Sequence, residues 1–205
     1  MAHYYRNLWI VTAWIAFSVF GQDLLVAEEN FPPPPFNSIR ITYKISKTFR
    51  DDRGEVVFKK EGRETRTVDG VSGKLCQEQE AKTYLGMFVQ EHQELRIFDG
   101  KKLYDVDLVK SEARYFDLPF DQPGFAWGAV APVLAKESFR VGQEEVLGRS
   151  CDIYEAGEIK EWVWKRLLLK REVRSESGFQ SEEAVAIEEN PEIDPIQFVL
   201  LCRFF

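Results

Sequence analysis

The amino-acid sequence predicts a mainly β domain, built on an antiparallel sheet and preceded by an export signal. Three observations carry that expectation. Apolar and polar residues alternate with period 2 along much of residues 38–188. Turn residues, Asp-Gly pairs and lone glycines, recur between these short runs. One uncharged run, Leu8–Phe20, lies near the N-terminus.

That run follows Arg6 and has thirteen residues, the length of a signal-peptide core. It is short of the roughly 20 needed to span a bilayer. Cleavage after Gly21 or after Ala27 fits the flanking residues, so residues 1–27 read as a signal peptide. The expected location is the periplasm of a Gram-negative-type envelope, with no stable transmembrane span once the signal is cleaved. Phe31–Phe36 encloses four consecutive prolines, a stiff spacer, and residues 28–37 form a Pro-rich linker. Residues 38–205 are then one domain.

Within it, Ile39, Ile41, Tyr43 and Ile45 alternate with Arg40, Thr42, Lys44 and Ser46, a strand with one wet face. Asp51–Gly54 is a turn, with a strand returning over 55–60 and another over 63–68. Asp69-Gly70 turns into a strand over 74–80. Residues 95–108 form the clearest hairpin, because Asp99-Gly100 favours a tight turn whose two central residues have positive φ. Further strands cover 144–147, 151–155, 161–164, 167–174 and 183–188, with turns at Gly148, Gly157 and Gly178. About ten short strands joined by tight turns imply an antiparallel sheet or barrel, not a βαβ fold.

One stretch breaks the pattern. Residues 124–138 read as a short helix or a helix pair, with Trp127, Val130, Ala131 and Leu134 as one apolar stripe. Gly128 and Pro132 interrupt it, which favours kinked helices. The stripe is either ordinary core or a lid over a cavity.

Composition narrows the function. With 27 basic and 34 acidic residues, the net charge of −7 disfavours nucleic acid, whose backbone is gripped by Lys and Arg. It also disfavours flat electrostatic docking on an anionic membrane, so any lipid contact is apolar. His92 is the only histidine outside the signal and is expected in a solvated setting between Glu91 and Glu94. Histidine-based metal sites and triads are therefore excluded, and no cofactor is expected. The pairs Glu144-Glu145, Glu182-Glu183 and Glu188-Glu189 read as wet edges, and the chain does not read as an enzyme. Cys76, Cys151 and Cys202 allow one disulfide in three pairings; the alternative makes Cys76 and Cys151 small buried hydrophobes. Sixteen phenylalanines belong to a core or a cavity. Trp162 and Trp164 share one side of a strand and either pack or line a pocket.

Residues 141–155, 161–165 and 168–172, the hairpin 99–107, and the segments 183–187 and 195–198 together resemble the outer-membrane lipoprotein-sorting-protein-like families, which share the LolA/LolB-like fold. The resemblance spans roughly residues 38–200. It implies a curved antiparallel sheet forming an incomplete barrel, with a helical lid on its concave face. It also implies an apolar cavity between sheet and helices for lipids or lipoprotein acyl chains. Phe125, Trp127, Val130, Leu134, Trp162 and Trp164 are the expected lining. Carrier members regulate their lid through an arginine, for which Arg50, Arg63 and Arg66 are available. The implied role is a periplasmic carrier or binding protein, with a lipid or acylated lipoprotein as ligand and envelope transport proteins as partners. The alternative is a non-catalytic envelope interaction module with a filled core.

Overall fold

The computed structural model describes residues 34–117 and 123–198, the side chains of 123 and 124 excepted. The expected signal peptide, most of the expected Pro-rich linker and Cys202 lie outside the described residues. Eleven strands follow in chain order: β1 (Ser38–Arg50), β2 (Val56–Asp69), β3 (Lys74–Leu85), β4 (Phe88–Phe98), β5 (Lys102–Asp107), β6 (Glu112–Asp117), β7 (Arg140–Val146), β8 (Arg149–Ala156), β9 (Ile159–Trp164), β10 (Leu167–Ser175) and β11 (Gly178–Glu189). A six-residue helix, α1 (Pro123–Gly128), and a 3-10 turn over Glu137–Phe139 stand between β6 and β7.

All strands join one sheet in the order β6-β5-β4-β3-β2-β1-β11-β10-β9-β8-β7. Every neighbouring pair is antiparallel. The first and last strands pair at the centre, with Ile41 opposite Ile187. Among the described residues β6 and β7 are the two edges and do not pair with each other, so the barrel stays open. Consecutive strands are joined by short turns everywhere except between β6 and β7. That one connection has to run from one edge of the sheet to the other.

The alternation expected for β1 holds: Ile39, Ile41 and Tyr43 have no exposed surface and Lys44 faces water. The two predicted strands at 55–60 and 63–68 are one strand, because Gly62 does not break the ladder. A Cβ at Gly62 would lie 2.2 Å from the carbonyl oxygen of Glu80, so only glycine permits that close approach of β2 to β3. β6 is additional to the sequence reading. All six of its residues are exposed, Tyr115 and Phe116 included, so no buried face betrays it as alternation. The Asp99-Gly100 turn also differs from expectation. Only Gly100 has positive φ, at 100°. The Asp99 carboxylate instead accepts the amides of Lys101 and Lys102, which builds a longer loop around a side-chain bond.

Residues of both sheet halves share one core, including Ile39, Ile41, Tyr43, Val68, Leu75, Phe98, Leu167, Leu169 and Ala184, with Ala126, Trp127 and Val130 against them. A smaller cluster of Cys76, Ile97 and Phe198 sits on the other face, under the 3-10 turn Pro195–Phe198. Arg40 ties that turn down through Gln197. Cys76 and Cys151 are both free and buried. Burial pushes their thiols up, to about 12 and about 11, so neither is poised as a thiolate. Among the described residues, no helix is long and apolar enough to cross a membrane.

Candidate functional site

The expected helical stripe is shorter than predicted. α1 ends at Gly128, and residues 129–136 continue as an irregular strap. Pro132 lacks the N–H that another helical turn would need. Ala126 and Val130 nevertheless have no exposed surface, and Trp127 and Leu134 have little. Burial comes from the sheet, not from helical periodicity.

The strap crosses the sheet in order. Phe125 packs against Phe98 of β4, the rings tilted with 4.6 Å between centroids. Trp127 lies against Gly70, just past the end of β2. The Ala129 carbonyl accepts from Arg66 Nη1 of β2 at 2.7 Å. The Val130 carbonyl accepts from the Leu168 amide of β10 at 2.9 Å. The Val133 and Leu134 amides donate to Glu161 of β9, the latter at 2.7 Å. β4 and β9 are six inter-strand steps apart, about 29 Å in a flat sheet. Ten partly helical residues connect them because the sheet curves around the strap.

Two buried ionic groups anchor this crossing. In the first, Arg66 lies between Glu64 and Glu182 and over the Tyr43 ring, its Cζ 4.6 Å from the centroid. Burial alone would raise the Glu64 carboxyl. The Arg66 charge and hydrogen bonds from Arg66, Gln79 and Gln77 outweigh it and hold Glu64 below its ordinary value. Arg66 is likewise desolvated, but the two carboxylates raise it further and keep it charged. Tyr43 donates its hydroxyl to the Leu168 carbonyl at 2.8 Å. In the second group, Glu161 has no exposed surface and pairs with Arg171, Nε to Oε1 at 2.8 Å. Of Arg50, Arg63 and Arg66, it is Arg66 that reaches the strap.

Phe125, Trp127, Val130, Trp162 and Trp164 belong to one apolar cluster. Leu134 is buried and is fixed through its amide by Glu161. Strand alternation puts Trp162 and Trp164 on the face of β9 opposite to Glu161. Trp162 donates its indole N–H to Glu144 and carries Lys160 and Lys170 over its ring. Trp164 meets Phe36, Arg149 and Lys165. The residue of β9 that touches the strap by hydrogen bond is therefore Glu161.

Glu182 corrects the wet-edge reading of Glu182-Glu183, since it is buried against Arg66. Its signal was phase: Glu182 pairs with Ile45 and so shares the inward face of β1. His92 is half-buried and not solvated; burial lowers its pKa, and its Nε2 has no hydrogen-bond partner among the described residues. A cleft of about 200 Å³ lies at the β8–β9 turn, lined by Glu155, Glu158, Lys160, Glu172 and Arg174 among others. Its charged walls do not suit an acyl chain. The β3–β4 turn is the reverse: Met87 is 98% exposed and Phe88 79%, with Leu85 and Val89 beside them.

The fold and strap define an open antiparallel half-barrel crossed on its inner face by its own edge-to-edge connection. No protein-family profile matches the chain. No curated protein matches it either. Among solved structures, it is similar to a crystal structure from Vibrio parahaemolyticus, provisionally described as an outer membrane lipoprotein-sorting protein domain. That likeness has 10% sequence identity and a TM-score of 0.32, and covers 87% of this chain and 94% of the other. A likeness that distant transfers no function to this chain.

Proposed function

We propose that this protein is an envelope carrier or binding protein for lipids or lipoprotein acyl chains, which occupy the space between sheet and strap. The observation that carries this reading is an apolar strap laid across an apolar floor in a barrel that never closes. Lifting residues 125–130 would uncover Tyr43, Val68, Phe98 and Leu169, a surface that an acyl chain can cover in their place. Phe125, Trp127, Val130 and Leu134 form the strap side of that site, with Trp162 and Trp164 at the far end of the same cluster. Arg66 acts as the latch through its bond to Ala129. The exposed Met87-Phe88 turn supplies an apolar contact to a bilayer, which suits a chain whose net charge of −7 disfavours electrostatic docking on an anionic membrane. The working compartment in this reading is the periplasm.

Binding of an environment-sensitive fatty-acid probe tests the reading. The probe should quench or shift indole emission, and Leu134→Gln and Val130→Gln should weaken its binding. Unaltered binding in both variants would place any ligand elsewhere. One observation favours a second reading, an envelope interaction module with a filled core: Ala126 and Val130 are wholly buried and the strap is hydrogen-bonded to the sheet at four residues. Failure of the probe to bind the folded protein would favour that module.

A further inference from the structure

The two ionic anchors differ in what their release would cost, and that difference gives the strap a direction of opening. We infer that Glu161 and Arg171 form a fixed hinge holding Val133 and Leu134, about which residues 125–131 swing. The inference rests on the carrier reading and adds to it which part of the strap moves.

At the Arg66 end, one hydrogen bond ties the guanidinium to the strap. Its remaining bonds go to Glu64 and Glu182, so a lifted Ala129 leaves the arginine still paired on both sides. The neighbouring bond from Leu168 to Val130 joins two neutral groups. The rest of the hold is apolar burial of Ala126, Trp127 and Val130, which an acyl chain can replace.

At the Glu161 end, the balance reverses. Both carboxylate oxygens accept strap amides, Oε1 from Val133 and Oε2 from Val133 and Leu134. Arg171 takes Oε1 with Nε and Nη2, at 2.8 and 2.7 Å. Lifting the strap here would strip a wholly buried carboxylate of its two backbone donors, and no apolar ligand can replace them. Pro132 stands between the two halves with a fixed φ and no N–H, where the chain has no helical bond to break.

Native-state hydrogen exchange on the mature protein reads this directly. The Leu168 amide donates to the Val130 carbonyl, and the Val133 and Leu134 amides donate to Glu161. All three bonds run between strap and sheet, so each amide is released only when its own end of the strap lifts. Leu168 should exchange about tenfold or more faster than Val133 and Leu134, a gap of about 1.4 kcal/mol. Glu161→Gln should raise exchange at Val133 and Leu134 to the level of Leu168 while Ile41 stays protected. Arg66→Lys should speed only Leu168. Equal rates at all three wild-type amides would overturn the hinge, as would a folded Glu161→Gln variant with unchanged rates. If that variant does not fold, the wild-type rates decide. Two rates with no fatty-acid probe binding would support the hinge and sink the carrier reading; probe binding with one uniform rate would do the opposite.

Discussion

The indole of Trp127 lies so close over Gly70 that a Cβ added there would sit 2.3 Å from its Cζ2 atom. The turn after β2 therefore keeps the strap seated simply by lacking a side chain. Gly70→Ala should push Trp127 off the sheet without altering any charge. The expected readout is a red-shifted, more quenchable indole emission and faster exchange of the Leu168 amide, which donates to the Val130 carbonyl of the strap. Unchanged emission and exchange would mean that Trp127 has room to move aside within a closed strap.

Tyr43, beneath Arg66, connects that buried ionic group to β10 through its hydroxyl bond to Leu168. Tyr43→Phe keeps the ring beneath Arg66 but leaves the Leu168 carbonyl short of a donor. Chemical denaturation should show a loss of about 1–2 kcal/mol. No measurable loss would show that the carbonyl finds a replacement donor.

Stability should depend on pH through Glu64. Its carboxyl titrates lower in the folded protein than its ordinary value of 4.5, so folding favours the ionised form. That contribution is complete above the ordinary value and is lost as pH falls through the depressed folded value. Denaturation midpoints should therefore decline as pH drops below about 4.5. Glu64→Gln should be less stable near neutrality and show a shallower acid decline. An equally steep decline in that variant would assign the acid sensitivity to other carboxylates.

The β3–β4 turn should bind lipid by apolar contact. Replacing Met87 and Phe88 with serine should reduce co-sedimentation with phosphatidylethanolamine vesicles about tenfold or more, since each side chain contributes about 1.5–3 kcal/mol when fully buried. Added salt should change the wild-type binding little, because no charge attraction is involved. Folding stability should shift by less than about 0.5 kcal/mol, as both residues are exposed. Equal sedimentation of variant and wild type would remove this turn from any membrane role.

Much of the sheet was legible because burial on one face writes itself as alternation. Ile39, Ile41 and Tyr43 announce β1 in this way. β6 and the first half of β4 were not legible, since both of their faces are wet and their pairing rests on backbone bonds. The apolar half of the candidate site was also readable, as Trp127, Val130 and Leu134 stand out by composition. Its polar half was not. Glu161 and Arg66 are ordinary surface residue types, and a local reading does not reveal that a connection 28 residues upstream of Glu161 brings its amides there. Phase alone offered a hint: Glu64 and Arg66 alternate in step with Val68, on the face where charge is expensive.

Organic extraction of the full chain purified from its own source cells, followed by mass spectrometry, addresses the acyl-binding claim most directly. The carrier account predicts an acylated species in near-stoichiometric amount, depleted in Leu134→Gln protein prepared alongside. Extracts free of acylated species, from protein shown to be folded by its near-ultraviolet circular dichroism, would contradict it.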